Sequence, residues 1–173
     1  MTYKDELTTA MEELAADPAV RFVGYGLKTG RAMGTLKNVS DDQIVETILA
    51  EGLMMSAAIG MSLAGLKPVV YFERMDFILN AGDAIVNHLS AMPTISRGEM
   101  VPTVIIRCTV GNRAKPLYTG PTHTQNLSAG VRAMVRFPVK ELFTTEAVLP
   151  AYRDAYADFG VQSTMLVEFK DLC

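Results

Sequence analysis

Cysteine and histidine are scarce in this chain of 173 residues, which contains two of each. Two cysteines, Cys108 and Cys173, exclude a disulfide framework and a four-thiolate zinc site. The two histidines, His88 and His123, make a Cys2His2 site arithmetically possible, but their positions do not have the spacing of metal ligands. We therefore expect neither disulfides nor a structural zinc ion in the fold.

A strong net charge and long apolar runs are also missing. The chain has 16 Lys and Arg against 19 Asp and Glu, a net charge of −3, which argues against nucleic acid or an anionic membrane as the main partner. The longest uncharged apolar stretch, residues 52–66, is shorter than the ~20 residues of a membrane span. The first residues are charged and do not resemble a signal peptide. We expect a cytoplasmic protein in a reducing compartment.

Several common ligand-binding motifs are absent. No Gly-x-Gly-x-x-Gly follows the first predicted strand, which argues against a dinucleotide-binding fold. The chain has no Walker A loop and no Gly-x-Ser-x-Gly nucleophile elbow, which argues against a P-loop nucleotidase and an α/β hydrolase. The usual phosphate-binding and nucleophile signatures therefore do not identify the function.

Apolar residues make up 49% of the sequence, enough for a substantial core, and the length suits one domain over residues 1–173. Periodicity predicts alternating elements, with a loop at 26–38 and another at 93–100. Helices are predicted at 3–14, 51–64, 77–89, 127–135 and 145–159, and strands at 20–25, 44–48, 69–72, 101–108, 138–143 and 164–169. This order favours an α/β fold with a doubly wound, mostly parallel sheet and helices on both faces.

Ligands of such folds bind beyond the carboxyl ends of the strands, so the loops after Tyr25, Ile48, Phe72 and Cys108 are the places to look for chemistry. Residues 109–126 lack periodicity and form a connection of about 18 residues, longer than most, which makes them a candidate functional loop. In the helix at 51–64, small residues recur every fourth position, and such a face lets another backbone approach closely. These small residues are Gly52, Ser56, Gly60 and Ala64.

Beyond these patterns, the chain resembles a known family. The run EGLMMSAAIGMSLAGLKPVV, which begins at Glu51, resembles the β subunit of thiamine-diphosphate-dependent 2-oxo acid dehydrogenases, where an acidic residue and a glycine-rich helix precede Ala-Gly-Leu-Arg-Pro and a strand. The likeness continues through Phe77, Asp83 and Asn87 and resumes at residues 120–125, GPTHTQ, which resemble the family's Gln-His-Ser-Gln turn. In order, these pieces cover nearly the whole chain.

The resemblance implies a free-standing pyrimidine-binding domain without the family's C-terminal domain. Such a domain binds the aminopyrimidine half of thiamine diphosphate, while the diphosphate and Mg²⁺ are held by a partner subunit with a Gly-Asp-Gly…Asn motif. Gly82-Asp83-Ala84 only partly resembles that motif and lies in a predicted helix. The expected assembly decarboxylates a 2-oxo acid and passes the carbanion-enamine to an acceptor, and the chain alone is expected to be inactive. Close packing at Gly60 is expected to join two copies within a heterotetramer.

The resemblance also assigns roles to single residues. Glu51 would share a proton with N1′ of the aminopyrimidine; without the resemblance, a glutamate at a helix start interacting with the macrodipole is the simpler interpretation. Phe77 would pack on the ring or be a core residue. His123 would donate to the substrate carbonyl or carboxylate or be a solvated loop residue, and Gln125 would be a weaker, orienting companion.

The chain departs from the family pattern in ways that leave alternatives open. Gly24-Tyr25-Gly26 stands where the family has Gly-Glu-Asp, so an acidic group is missing from that position. This difference motivates an alternative function as a non-catalytic assembly or regulatory subunit. Transketolase-type ketol transfer is a further alternative, although two histidines are fewer than a sugar phosphate site requires. Arg97, Arg113 and Lys115 lie in predicted loops and are either contacts for an anionic substrate or solvated cations.

Overall fold

The computed structural model describes residues 1–112, 114 and 120–173. Within these residues, six strands form one sheet in the order β2-β1-β3-β4-β6-β5, and every pairing is parallel. The strands are β1 (Val20–Gly24), β2 (Ile44–Glu46), β3 (Lys67–Phe72), β4 (Ile105–Val110), β5 (Val139–Glu141) and β6 (Thr164–Phe169). In the centre, Val69 of β3 is in register with Phe22 of β1 and Ile105 of β4. The predicted parallel α/β sheet is confirmed.

Helices connect the strands, as the alternating pattern predicts. The α-helices are α1 (Tyr3–Ala15), α2 (Leu27–Gly34), α3 (Glu51–Leu63), α4 (Met92–Ile95), α5 (Ser128–Met134) and α6 (Thr145–Ala157). Shorter 3-10 helices cover Asp41–Gln43, Met75–Ala81, Gly120–His123 and Lys170–Leu172, and a π-helix covers Ala84–Ser90. Helix α1 begins after Thr2 because Thr2 and Asp5 form a capping box, in which each side chain accepts a hydrogen bond from the other residue's backbone N–H.

Both faces of the sheet are covered by apolar side chains, which gives the fold its two cores. In β3, Val69 and Tyr71 belong to the core beneath α1 and α6, whereas Val70 and Phe72 belong to the core beneath α3 and residues 75–90. This alternation follows from the two-residue period of a strand, and burial on both faces explains why the strand is apolar throughout. The doubly wound arrangement predicted from the sequence is confirmed.

A charged cluster lies inside the core below α1 and α6. Arg107 of β4 and Glu168 of β6 are both completely buried, and the guanidinium donates to the carboxylate at 2.8 and 3.1 Å. The Tyr152 hydroxyl donates to the same carboxylate, and the guanidinium lies over the Tyr71 ring at 4.9 Å. Burial alone would lower the pKa of Arg107, but the adjacent Glu168 carboxylate raises this pKa above its usual range. No local pattern in the sequence predicts this cluster, because Arg107 and Glu168 are 61 positions apart.

Three predicted segments differ from the structure. The predicted loop at 26–38 contains α2, because Leu27 and Ala32 are buried in the core; the helix is interrupted where Arg31, Ala32 and Met33 have positive φ. The predicted loop at 93–100 begins inside the short α4, which has a proline in its first turn. The predicted α-helix at 77–89 is instead a 3-10 helix followed by a π-helix. Of the five residues predicted on its inward side, Val86 is half-buried and four are buried, namely Ile78, Ala81, Ile85 and Leu89.

The strand order reverses between β1 and β3, because β2 lies on one side of β1 and β3 on the other. Such a switch point opens a crevice at the carboxyl ends of the two strands, and ligands of open α/β sheets bind there.

Part of the predicted functional loop at 109–126, including Arg113 and Lys115, lies outside the described residues. Across the described part of the chain, none of the helices has the length and hydropathy to cross a bilayer.

Candidate active site

A cleft of about 120 Å³ lies at the switch point of the sheet. Tyr25 follows β1, Glu51 and Met54 come from the first turn of α3, and Glu73 and Phe77 follow β3. The remaining walls are Leu49, Tyr71 and Phe72. The cleft is therefore built by loops after three of the strands that the sequence analysis pointed to.

Glu51 is the first residue of α3 and is only 9% exposed. Its Oε2 accepts a hydrogen bond from the Asn80 side-chain amide at 3.3 Å, whereas Oε1 has no hydrogen-bond partner among the described residues. A side chain at Gly52 would lie 3.3 Å from the Asn80 backbone carbonyl, so the glycine lets the two segments meet. A glutamate that only balanced a helix macrodipole could remain in solvent. Its burial beside the cleft is the feature that needs another explanation.

Phe77 and His123 meet beside this cleft. Their ring centroids are 5.0 Å apart and the rings are nearly perpendicular, at 89°, which is a favourable edge-to-face geometry. Phe77 is half-buried, whereas Phe72 is buried in the core as expected for a core residue. His123 is also half-buried, and its Nδ1 lies 3.2 Å from the Thr122 hydroxyl. The structure therefore brings Glu51 and Phe77 into one cleft and places His123 against Phe77.

Gln125 faces a residue that the sequence analysis missed. Its side-chain amide donates to Oδ1 of Asp76 at 2.8 Å, and its backbone N–H points to the same oxygen at 3.4 Å. Asp76 is 8% exposed, and its Oδ2 is buried without a hydrogen-bond partner in the described part of the chain. The charged residues Glu73 and Arg74 stand just before Asp76, so the sequence alone does not single it out.

Gly111 is a second missed position. It directly follows β4, and a Cβ placed on it would lie 2.0 Å from the His123 backbone oxygen. Any side chain there would displace the segment that carries His123. A glycine immediately after a buried strand is a sign of such close approach, but the sequence does not indicate which segment approaches.

Two acidic groups face the cleft although the loop after β1 has none. Besides Glu51, the lining includes Glu73, which forms an ion pair at 3.2 Å with the buried Arg74. Glu46 of β2 accepts hydrogen bonds from the backbone N–H groups of Gly26 and Lys28, the latter at 2.7 Å, and so fixes the loop after Tyr25. A carboxylate of the neighbouring strand thus holds the loop after Tyr25, while the carboxylates that line the cleft are those of Glu51 and Glu73.

The other candidate residues lie outside the cleft. Cys108 is buried in β4, and burial raises the pKa of its thiol well above the usual range, which suits an inert core residue. Asp83 is exposed and accepts a hydrogen bond from Asn87 in the same helical segment, at 2.7 Å. Arg97 is in the turn after α4 and is not among the residues that line the cleft. In the described residues, no group of three or more potential acidic, histidine or cysteine ligands is arranged to hold a metal ion.

Residues 1–133 match the family described as the pyrimidine binding domain of transketolase. The chain belongs to this family. Family membership confirms the resemblance, first noted in the run from Glu51, to pyrimidine-binding domains of thiamine-diphosphate-dependent enzymes.

Among curated relatives, the mitochondrial pyruvate dehydrogenase E1 component subunit beta-1 of Arabidopsis thaliana is 30% identical over 135 residues, which are 75% of this chain and 36% of that protein. The 2-oxoisovalerate dehydrogenase subunit beta of Pseudomonas aeruginosa is 26% identical over 96 residues, 56% of this chain and 27% of that protein. The chain thus spans roughly a third of the length of these relatives.

Two solved structures of other proteins contain the same fold. An inactive β4 tetramer of a split-gene transketolase superposes with a TM-score of 0.76 at 14% identity, covering 98% of this chain and 52% of that one. The thiamine diphosphate-dependent 4-hydroxybenzoylformate decarboxylase of Rhodococcus jostii RHA1 gives 0.66 at 15% identity, covering 98% and 30%. At such identities, these similarities establish the fold alone.

Proposed function

We propose that this chain is the pyrimidine-binding subunit of a split thiamine-diphosphate-dependent enzyme that decarboxylates a 2-oxo acid and transfers the remaining group to an acceptor. One observation carries the proposal: Glu51 and Phe77 line the same cleft, and His123 packs against Phe77. The 2-oxo acid is favoured because relatives of the family include pyruvate dehydrogenase and 2-oxoisovalerate dehydrogenase β subunits.

The residues of the cleft suit an aminopyrimidine ring. Glu51 is nearly buried, lines the cleft and has one carboxylate oxygen, Oε1, without a hydrogen-bond partner among the described residues, so that oxygen can hold a proton and exchange it with the ring nitrogen N1′. Phe77 offers an aromatic wall for the ring. In this proposal His123, which packs against Phe77, donates a hydrogen bond to a substrate oxygen next to the ring, and Gln125 orients the segment. When bound, thiamine diphosphate supplies the nucleophilic carbon that attacks the 2-oxo acid.

An apolar rim around Glu51 supports a partner subunit at this cleft. Four aliphatic side chains near it are half or more exposed, and such patches are typical of interaction sites. They are Ile48, Leu49, Leu53 and Leu79. Because no metal ligand group is present among the described residues, we assign the diphosphate and Mg²⁺ to that partner, through a Gly-Asp-Gly…Asn motif of its own. Closure by the partner would also exclude water from Glu51.

A second contact is proposed between two copies of this chain. Ser56 and Gly60 of α3 and Ala64 at its C-cap are exposed, and a Cβ at Gly60 would meet nothing within 4 Å. Gly60→Leu is therefore compatible with the isolated fold but would hold a second backbone away. Gly130→Leu is a matched control, because Gly130 is an exposed helical glycine with equally open space. Light scattering should show smaller assemblies for Gly60→Leu only; unchanged assemblies would remove this contact from the proposal.

The direct test is reconstitution. The chain is co-expressed with a diphosphate-binding subunit, and CO₂ release or carboligation is measured with a set of 2-oxo acids, thiamine diphosphate and Mg²⁺. We expect activity in the mixture and none in either chain alone. The split-gene transketolase structure of similar fold is described as an inactive β4 tetramer, which is consistent with inactivity of one half. Full turnover by this chain alone would contradict the proposal.

One observation favours a second candidate, a non-catalytic assembly or regulatory subunit. The resemblance implies that Tyr25, in Gly24-Tyr25-Gly26, stands where the dehydrogenase β subunit family has an acidic residue. Glu73 lines the same cleft and supplies a carboxylate from the end of β3, which weakens the case for a non-catalytic subunit. Substitution of Glu51 separates the two candidates, since a non-catalytic subunit would tolerate it. Ketol transfer and a cytoplasmic location stay predictions.

A further inference from the structure

Two segments on either side of the candidate site contact each other at three successive points. Phe77 meets the ring of His123, Asp76 accepts two hydrogen bonds from Gln125, and the Met75 sulfur accepts one from the Leu127 backbone N–H at 3.3 Å. Residues 75–77 therefore hold residues 123–127 in place through three successive contacts. A thioether is a weak acceptor, so the carboxylate in the middle provides the strongest of the polar contacts.

Holding this loop with the Asp76 carboxylate costs free energy of folding. Its Oδ1 receives both donors of Gln125, but Oδ2 is buried and has no hydrogen-bond partner among the described residues. Burying an unpaired oxygen of a charged group opposes folding. A neutral acceptor in this position would stabilise the fold equally well. A buried carboxylate oxygen without a hydrogen-bond partner, next to a candidate site, indicates that the residue has a role in that site.

We propose that Asp76 is a positioning residue that holds residues 123–127 so that His123 stays edge-on to Phe77 beside the Glu51 cleft. Its importance for turnover rests on the proposed function, whereas the placement of His123 does not. Asp76→Ala removes the acceptor and releases the segment. Asp76→Asn keeps an acceptor oxygen for Gln125 and removes the buried charge, so it should retain the placement.

The chain's two histidines allow a direct measurement. In NMR spectra of the full chain, the imidazole signals of His123 should be displaced from free-imidazole values by the ring current of Phe77, and Phe77→Leu identifies the signal. Asp76→Ala should move the His123 signals toward free-imidazole values and leave those of His88 unchanged, since His88 lies in Ala84–Ser90 with its side chain 54% exposed. Asp76→Asn should keep the wild-type spectrum. Unchanged His123 signals in folded Asp76→Ala would overturn the proposal.

A second variant guards against misfolding of the first. Gln125 is exposed, so Gln125→Leu removes the side-chain donor without disturbing the core, and it too should displace the His123 signals. If Asp76→Ala does not fold and Gln125→Leu leaves His123 in place, the proposal is wrong.

Turnover then tests the link to the reaction. In the reconstituted assembly, Asp76→Ala should lower kcat about tenfold, with KM for the 2-oxo acid changed less than about twofold, because misplacement of a catalytic group affects chemistry more than binding. Asp76→Asn should restore kcat to within about threefold. Displaced His123 signals with unchanged kcat would overturn the positioning role for the reaction. A wild-type assembly without any 2-oxo acid turnover would instead contradict the proposed function, and the NMR outcome would still decide whether Asp76 places His123.

Discussion

The imidazole of His123 meets the ring of Phe77 edge-on, with the ring centroids 5.0 Å apart. Phe77 belongs to the 3-10 helix Met75–Ala81, which follows β3, and His123 belongs to the 3-10 helix Gly120–His123, which lies between β4 and α5 in the chain. Because β3 and β4 are parallel neighbours, their carboxyl ends lie side by side, and the two following segments can touch. The relationship between two residues distant in sequence is therefore a consequence of the sheet order.

We predict that Phe77→Leu weakens the binding of thiamine diphosphate to the reconstituted assembly by about tenfold, since an aromatic contact contributes roughly 0.5–1.5 kcal/mol beyond its buried area. Isothermal titration calorimetry measures the effect. Phe143→Leu is the matched control, because Phe143 is 60% exposed and stacks on Phe169 near the opposite edge of the sheet. Equal affinities for the wild type and Phe77→Leu would exclude a ring contact at Phe77.

Gly111→Ala should lower turnover at least about tenfold, because the new methyl group would occupy the place of the His123 backbone oxygen, at 2.0 Å. Gly82→Ala serves as its control: a Cβ at Gly82 meets nothing within 4 Å, and its φ of −54° suits alanine. Activity assays of both variants in the assembly give the comparison. Wild-type activity of Gly111→Ala would mean that the position of the His123 segment does not matter.

The buried pair of Arg107 and Glu168 should couple strongly in stability. Removing one partner leaves an uncompensated buried charge, so Arg107→Met or Glu168→Leu alone should each cost about 3–5 kcal/mol. The double variant should cost clearly less than the sum, because both charges are then gone. Urea denaturation of the four proteins measures the coupling. Additive losses would show that the two side chains do not stabilise each other.

Asp17 should make the stability depend on pH in the acid range. Hydrogen bonds from the Lys67 ammonium, the Ala19 backbone N–H and the Tyr156 hydroxyl lower the pKa of Asp17 from 3.8 to about 2. Because the folded pKa is the lower one, the contribution is complete above the unfolded pKa of 3.8 and is lost as the pH falls toward 2. Screening at this partly exposed pair limits the effect to on the order of 1 kcal/mol.

The variant Asp17→Asn provides the comparison for this pH effect. It should be less stable than the wild type at about pH 5, and the difference should shrink at about pH 2.5, where the wild-type carboxylate is being protonated. Urea titrations at the two pH values measure it. A difference that is constant with pH would mean that the carboxylate charge of Asp17 does not contribute.

The sheet could be predicted from the sequence because its determinants are local. The strand Thr164–Phe169 is found with its predicted bounds, and Glu51 begins a helix as predicted. Prediction failed where tertiary contacts override local patterns. The glycines of residues 26–38 indicate a loop, yet burial of Leu27 holds α2 in place. The periodicity of residues 77–89 suggests one α-helix, but the segment forms a 3-10 and a π-helix.

The candidate site was predictable only where the family resemblance identified its residues. Glu51, Phe77 and His123 stand in recognisable runs, and the structure brings them together. Asp76 and Gly111 carry no such signal, because their significance comes from what lies opposite them, Gln125 and the His123 backbone. Such pairings between distant segments are set by the packing of loops, which hydrophobic periodicity does not encode.

The most direct test of the account is Glu51→Gln in the assembly reconstituted with a diphosphate-binding subunit. Glutamine keeps the size of the side chain and its contact with Asn80 but cannot hold and exchange a proton, so CO₂ release from the 2-oxo acid should fall at least ~100-fold while thiamine diphosphate still binds. Glu146→Gln, which removes a similar first-turn charge from α6, should leave the rate unchanged. A wild-type rate for Glu51→Gln would contradict the proposed function.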